Sequence, residues 1–216
     1  MLIIQDVYKK YQIMPQLEAH MLRVAGVADL ICAHFKIGID RHSVVAACLL
    51  HDMGNIVKFD FDYTRQFMPE LVDVGTLASW EAVKREFIEK YGAESHAATM
   101  NIIAELGINK RIIELIDCIG VDQALNNAAT SDFEKKICAY SDVRVEPSGV
   151  VALEKRFTGL RHRYKNHPEG ARGREVFENA LREVERQIFS KTDFSPSAVT
   201  AGAVGPLVDK LKVFSI

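Results

Sequence analysis

The sequence predicts an all-α protein built as a single helical domain. Apolar residues recur at spacings of three and four in almost every long segment, and this is the period of a helix face. Proline, capping residues and glycine stand where helix starts and ends require them. The segment from Ile56 to Asp62 alternates loosely but lacks a partner strand, so we expect a loop or short helix there. Together these observations favour a helical bundle.

The first long helices carry the residues of greatest chemical interest. A helix is predicted from Pro15 to Phe35, with the proline in its first turn. In this helix His20 stands four residues before Val24, which places it on the apolar face. The next segment, from Arg41 to Asp52, is apolar almost all round, so it is predicted to be a central helix. Gly54 is expected to end it.

The rest of the chain is predicted to continue as amphipathic helices. A capping box formed by Ser131 and Glu134 starts one of them, and His96 is expected to point inward from another. The predicted helices are Ser79 to Tyr91, Glu94 to Leu106, a short one around Ile112 to Ile116, Ser131 to Val143, Ser148 to Tyr164 and Glu175 to Phe189. We predict one domain over residues 1–190. The tail, residues 191–216, is interrupted by Pro206 and several glycines, so only Leu207 to Phe214 is expected to form a last element.

The composition excludes several classes of protein. A formal charge of −2 gives no general attraction to phosphate backbones, so bulk nucleic-acid binding is not expected. No stretch reaches the roughly 18 apolar residues of a membrane span, and no membrane association is expected. The cysteines lack any Cys-x-x-Cys spacing and are interpreted as reduced core thiols of a cytoplasmic protein. They are Cys32, Cys48, Cys118 and Cys138.

Histidines and carboxylates on separate helices form a candidate metal site. His51 and Asp52 follow directly on a buried apolar run, where ionisable groups need a partner. His20 is on an apolar helix face, and Asp142 lies one turn beyond Cys138 on another. Facing helices of a bundle can bring such distant ligands to one ion. Two imidazoles and two carboxylates suit a first-row divalent metal that keeps water in its open positions.

The order of these residues resembles the signature of the HD-domain superfamily of metal-dependent phosphohydrolases. The matching motifs begin at His20, contain the pair His51-Asp52 and end at Asp142, and the resemblance covers about residues 14–164. It implies a helical fold of the HD-domain type that holds a divalent ion, Mn, Fe, Co, Ni or Mg. It also implies that the four residues are ligands and that Asp52 acts catalytically by orienting the attacking water.

The chain departs from better-known members of that superfamily at two places. Some two-metal relatives have further histidines; His96 matches the first, and the segment from Asp117 to Asp122 contains none. His96 is therefore interpreted either as a further metal ligand or as a structural histidine. Asn55 stands where single-metal nucleotidases have Glu and cyclic-dinucleotide enzymes have Lys. Asn can orient a water or phosphate oxygen but carries no charge.

The predicted function is hydrolysis of a phosphate ester or anhydride of a small metabolite, with a nucleotide as the favoured substrate. Arg23, Asn55, Lys58 and Arg144 are the candidate substrate-binding residues, because Arg and Lys supply donors that match phosphate. Arg156 and Arg161 are further cations that an anionic substrate could meet. An alternative is a catalytically reduced HD domain that acts as a ligand-binding or regulatory module. Oxygenase chemistry needs more histidines than the chain clearly offers, and a homodimer is left open.

Overall fold

The computed structural model describes residues 2–67, 76–163 and 170–216. Helices dominate these residues, which confirms the predicted all-α class. The α-helices are α1 (Ile4–Lys10), α2 (Pro15–Ala33), α3 (Arg41–Leu50), α4 (Phe61–Phe67), α5 (Leu77–Tyr91), α6 (Ser95–Leu106), α7 (Lys110–Ile116), α8 (Ala124–Ala129), α9 (Phe133–Val143), α10 (Leu153–Arg163), α11 (Gly170–Phe189) and α12 (Ala201–Leu211). No helix of the described ranges combines the length and apolar character needed to cross a membrane.

The described residues also form short turns, a hairpin and the isolated β-bridges of Ile3 with Ser215 and of Phe35 with Thr192. The strands β1 (Val145–Glu146) and β2 (Gly149–Val150) pair antiparallel, with Val145 opposite Val150. Single turns of 3-10 helix span Asn55–Lys58, Val121–Gln123 and Pro196–Ala198. The first of these occupies the segment for which the sequence predicted a loop or short helix. The hairpin was not predicted, because strands of two residues are too short for an alternating pattern to appear.

Helix α3 lies at the centre of the molecule. Its residues from Ser43 to Leu50 are all buried, and α2, α7 and α9 pack against it. The helix begins at a capped end, because the Asp40 side chain accepts a hydrogen bond from the backbone N–H of Ser43 at 3.0 Å. A helix enclosed in this way must be apolar on every side, as this sequence is.

The start of α9 differs from the predicted capping box. Asp132, and not Ser131, is the N-cap, and its carboxylate accepts hydrogen bonds from the N–H groups of Glu134 and Lys135. The side chain of Glu134 is mostly buried, and its Oε2 accepts a hydrogen bond from Nε of Arg111 at 2.9 Å. Arg111 also contacts Asp132. The guanidinium of Arg111 thus binds the carboxylates of Asp132 and Glu134 and links α7 to α9. The N-cap lies one residue later than predicted.

The helices after the hairpin have other bounds than predicted. Helix α10 begins at Leu153 and not at Ser148, because the chain first turns through β1 and β2. The predicted end of that helix, Tyr164, lies outside the described residues. Helix α11 begins at Gly170, five residues before the predicted start at Glu175, and it packs against α8, α9 and α10.

The last helix extends through the predicted interruption of the tail. Thr200 caps α12 by accepting a hydrogen bond from the N–H of Ala203, and Pro206 lies within the helix, where it removes one backbone hydrogen bond. The expectation of a short element from Leu207 to Phe214 was therefore wrong. Helix α12 packs against α2, and a Cβ atom on Gly26 would lie 2.8 Å from Val204 Cγ1. The tail is thus part of the packed molecule.

Candidate metal centre

The pair His51-Asp52 lies directly after the last residue of α3. The side-chain Nδ1 of His51 is 2.9 Å from the carbonyl oxygen of Cys48. A carbonyl only accepts, so Nδ1 must carry the proton and Nε2 presents its lone pair. This Nε2 atom is buried and makes no hydrogen bond in the described part of the chain. A buried polar atom without a partner is costly, and a metal ion would remove that cost.

Two further helices bring side chains to this atom. His20 from α2 places its Nε2 3.0 Å from Oδ1 of Asp142, which lies near the end of α9. The same Oδ1 is 3.4 Å from Nε2 of His51. Because α2 and α9 both pack on α3, residues that are 122 positions apart in the chain meet at the end of the central helix. The four sequence-predicted ligands are brought together once Asp52 is included.

The distances among His20, His51 and Asp52 fit one ion. The Asp52 carboxylate has Oδ2 3.6 Å from Nε2 of His20 and Oδ1 3.6 Å from Nε2 of His51. Ligand atoms of His20, His51 and Asp52 all lie within 4.8 Å of one another. Ligands about 2.1 Å from one ion are themselves about 3 to 4 Å apart in tetrahedral or octahedral coordination. The donor set of two imidazole nitrogens and two carboxylates therefore suits a divalent first-row metal.

The charges of the site attract a cation. Burial lowers the pKa of His51, but the carboxylates of Asp52 and Asp142 outweigh burial and raise it to about 9. Burial raises the pKa of Asp142, yet its contacts with His20 and His51 prevail and hold that pKa well below its usual value. Asp142 is thus ionised at neutral pH. The Nε2 atom of His51 therefore binds either a proton or a metal ion.

Gly54 allows another helix to approach the turn that follows the pair. Its N–H donates to Oγ1 of Thr99 in α6 at 2.9 Å. A Cβ atom at this position would lie 2.4 Å from the backbone nitrogen of Thr99 and 2.8 Å from the Ala98 backbone. The expectation that Gly54 ends the helix was wrong, since α3 ends at Leu50. Its role is the close contact between α6 and the His51-Asp52 turn.

A cavity of about 880 Å³ opens over the four candidate ligands. Three of the four predicted substrate-binding residues line it: Arg23, Asn55 and Lys58. Asn55 is buried in the 3-10 turn that follows the His51-Asp52 pair, whereas Lys58 is exposed at the end of that turn. The Arg23 guanidinium is 3.5 Å from the carbonyl oxygen of Pro147 in the β1–β2 turn. Amide, ammonium and guanidinium donors thus surround the candidate metal centre.

Arg144, the fourth predicted substrate-binding residue, lies elsewhere. Its side chain is 2% exposed, and its guanidinium donates to the carbonyl oxygens of Val151 and Val199 and to the Tyr140 hydroxyl. These hydrogen bonds occupy the N–H groups of the guanidinium and join α9 to the segment before α12. The assignment of Arg144 to substrate binding was therefore wrong, and its role is structural.

The predicted further ligand, His96, also lies apart from the cavity lining. Its imidazole is 50% exposed, and Nε2 is 3.0 Å from Oδ1 of Asp117. The residue is the second of α6, where the helix end projects from the core, so it does not point inward as predicted. Within the described ranges, His20, His51 and Asp52 form a group whose ligand atoms all lie within 4.8 Å of one another, and Asp142 joins this group through its contacts with the two imidazoles.

Several cavity residues could not be identified from the sequence. Of the two further cations named from the sequence, Arg156 lines the cavity and Arg161 forms an ion pair with Glu178. Helices α10 and α11 and the hairpin contribute other lining residues that sequence reasoning missed, namely Glu146, Leu160, Arg174 and Phe177. The sequence shows which residues of α10 and of α11 are four apart and so share a helix face. It does not show which of these faces lines the cavity, because that depends on how the helices pack.

Comparison with known proteins gives one family match. Residues 17–119 match the family model described as HD domain. The matched segment contains His20, His51 and Asp52, and it ends before Asp142, which the fold brings to the same place. A comparison with curated proteins and one with solved structures gave no match.

Proposed function

The chain belongs, through residues 17–119, to the HD-domain superfamily of metal-dependent phosphohydrolases, and from this premise we propose that it hydrolyses a phosphate ester or anhydride of a small metabolite. The proposed ligands of the divalent metal are His20, His51, Asp52 and Asp142. The observation that carries the proposal is the buried Nε2 of His51, which lacks a hydrogen bond and lies 3.4 Å from Asp142. A divalent ion held between this atom and the Asp142 carboxylate would satisfy both groups.

In the proposed reaction, water attacks phosphorus, a P–O bond to the leaving group breaks, and the leaving oxygen takes a proton. When bound, a divalent metal lowers the pKa of water and neutralises phosphate oxygens. Asp52 is 20% exposed toward the cavity, so its carboxylate can accept a hydrogen bond from the attacking water and orient it. Nδ1–H of His51, held by the Cys48 carbonyl, keeps the imidazole in position.

The donors around the cavity suit a phosphorylated substrate. Arg23 and Lys58 provide positive charge for phosphate oxygens, and the Asn55 amide provides a neutral hydrogen-bond donor. A volume of about 880 Å³ is in the range of sites for whole metabolites and much exceeds a phosphate group. We therefore propose a nucleotide as the substrate. A cytoplasmic location and a homodimer stay predictions.

The proposal is tested by metal analysis followed by phosphate-release assays. Protein as purified is expected to contain a divalent first-row metal or Mg²⁺, and the protein loaded with that metal is expected to release phosphate from a panel of nucleotides and sugar phosphates. His51→Ala and Asp52→Ala are each expected to lose both metal and activity. Phosphate release that survives both substitutions would contradict the proposal.

A histidine directly after the helix that carries His20 provides a matched control. His34 is the C-cap of α2, pairs with Asp193 and contacts the ring of Phe194 in a tilted arrangement, outside the cavity lining. It is about 21 Å from His20 along the helix axis at 1.5 Å per residue. His34→Ala is expected to keep metal and activity. If the wild type turns over no compound with any metal, and one nucleotide raises its melting temperature, the ligand-binding module is the better description.

A further inference from the structure

One wall of the cavity comes from helices beyond the family match. Helix α10 contributes Arg156 and Leu160, which are four residues apart, and α11 contributes Gly173 and Phe177, also four apart. Residues at this spacing share one helix face. Each of the two helices therefore turns one face toward the cavity, whereas the metal ligands come from α2, α9 and the end of α3.

This wall offers apolar side chains to a ligand beside the guanidinium groups of Arg156 and Arg174. Leu160 and Phe177 are both half-buried and line the cavity. The ring of Phe177 contacts that of Phe157 in a T-shaped arrangement, with centroids 6.3 Å apart. Phe157 is itself fully buried, so this contact fixes the ring of Phe177. A T-shaped contact occupies at most one face of either ring, and Phe177 also lines the cavity.

A phosphate group alone has no use for the apolar side chains of this wall. The candidate metal ligands together with Arg23 and Asn55 supply the polar contacts that the phosphate needs. Apolar lining and a volume of about 880 Å³ are suited to a larger organic group on the same molecule. A planar ring gains most from a fixed aromatic side chain, since stacking adds to apolar burial.

We propose that Leu160 and Phe177 determine substrate specificity by holding the uncharged planar ring of a phosphorylated substrate, with Phe177 stacking on the ring. The inference rests on the proposed function, because it concerns the organic part of the molecule whose phosphate is hydrolysed. It places substrate selection on α10 and α11 and the chemistry on α2, α3 and α9.

The test compares substrates that differ only in the ring. The four common nucleoside 5′-monophosphates and ribose 5-phosphate are assayed with the Mn²⁺-loaded protein. The wild type is expected to prefer at least one nucleotide over ribose 5-phosphate by about tenfold or more in kcat/KM, the scale that a lost apolar contact produces. In Phe177→Ala, KM for that nucleotide is expected to rise about tenfold with a much smaller change in kcat, so the preference falls by a similar factor.

Two further variants complete the test. Leu160→Ala probes the same wall from the other helix and is expected to lower the preference in the same way, which covers the case that Phe177→Ala does not fold. Val176→Ala is the control, because Val176 is adjacent to Phe177 in sequence, 42% exposed and absent from the cavity lining. It is expected to keep the wild-type preference.

The outcomes separate this inference from the proposed function. Equal hydrolysis of ribose 5-phosphate and all four nucleotides by the wild type would overturn the inference and leave the phosphohydrolase proposal standing. A preference that persists in both Phe177→Ala and Leu160→Ala would also overturn it. Absence of phosphate release from every probe would count against the proposed function, and the inference would fail with it.

Discussion

At the scale of single residues, the carbonyl of Cys48 decides what His51 can do. This carbonyl oxygen accepts a hydrogen bond from Nδ1–H of His51, which keeps the proton on Nδ1 and leaves Nε2 as the atom that could bind a metal. The sequence placed His51 beside an apolar run, which indicated a buried ionisable group. It did not show that a backbone oxygen three residues earlier would orient the ring, because this contact depends on how the chain turns after Leu50.

The raised pKa of His51 makes metal affinity depend on pH. In the protein without bound metal, the protonated imidazole contributes stability that is fully present below its ordinary pKa of about 6.5 and is lost as pH rises through about 9. Metal and proton compete for Nε2, so affinity is expected to increase with pH by roughly tenfold per unit up to about pH 9. Competition titrations with a chelator at several pH values measure this. An affinity that does not change over this range would contradict it.

Arg144 illustrates how a residue near a motif can be misassigned. It lies two positions after Asp142 in the sequence, but the helix turns it to the opposite side, where Tyr140 and two backbone carbonyls accept its hydrogen bonds. We expect Arg144→Met to destabilise the protein by about 3 kcal/mol, because it leaves buried acceptors without a donor. Urea unfolding measures the change.

The control for this prediction is metal content. The hydrogen bonds of the Arg144 side chain go to Tyr140 and to backbone carbonyls and not to the side chains of the proposed ligands, so folded Arg144→Met is expected to bind metal as the wild type does. A loss of stability below about 0.5 kcal/mol, the level of an ordinary surface substitution, would show that these hydrogen bonds contribute little.

At the scale of elements, the reliability of prediction followed the length of the apolar pattern. Helices α2, α3, α5 and α6 are long enough for a spacing of three and four to repeat, and each was predicted within a few residues of its bounds. Shorter elements such as α1, α4 and α8 contain at most two turns, so their patterns are not distinctive. Helix α12 was misjudged because Pro206 normally interrupts a helix, whereas here the Thr200 cap starts it upstream.

The contact between α6 and the His51-Asp52 turn depends on Gly54. An added methyl group would meet the backbone nitrogen of Thr99 at 2.4 Å, a contact that only a backbone shift relieves. Gly54→Ala is therefore expected to cost about 1 to 3 kcal/mol of stability and to weaken metal binding, since the shift moves the turn that carries two ligands. Thermal unfolding and metal titration measure the two effects.

Another glycine provides the comparison. Gly205 lies within α12, and a Cβ atom there would meet nothing within 4 Å. Gly205→Ala is expected to be neutral or to stabilise by up to about 1 kcal/mol, because alanine favours the helix. If the two variants behaved alike, close packing at Gly54 would not be the reason for its effect.

At the scale of the whole molecule, the grouping of the four candidate metal ligands was predictable and the cavity was not. The order of His20, His51-Asp52 and Asp142 could be recognised in the sequence because each stands in a distinctive motif. The cavity wall comes from Leu160, Phe177 and their neighbours, whose positions follow from the packing of α10 and α11. No local pattern encodes that packing. The sequence therefore indicated the candidate metal site well and the cavity that a substrate would occupy poorly.

The most direct test of the central claim is anomalous diffraction from crystals of the Mn²⁺-loaded protein. We expect one strong anomalous peak enclosed by Nε2 of His20, Nε2 of His51 and the carboxylates of Asp52 and Asp142, about 2.0 to 2.3 Å from each coordinating atom. Such a peak would show that these four side chains form one metal centre. Wild-type crystals with no anomalous peak at this position would contradict the account.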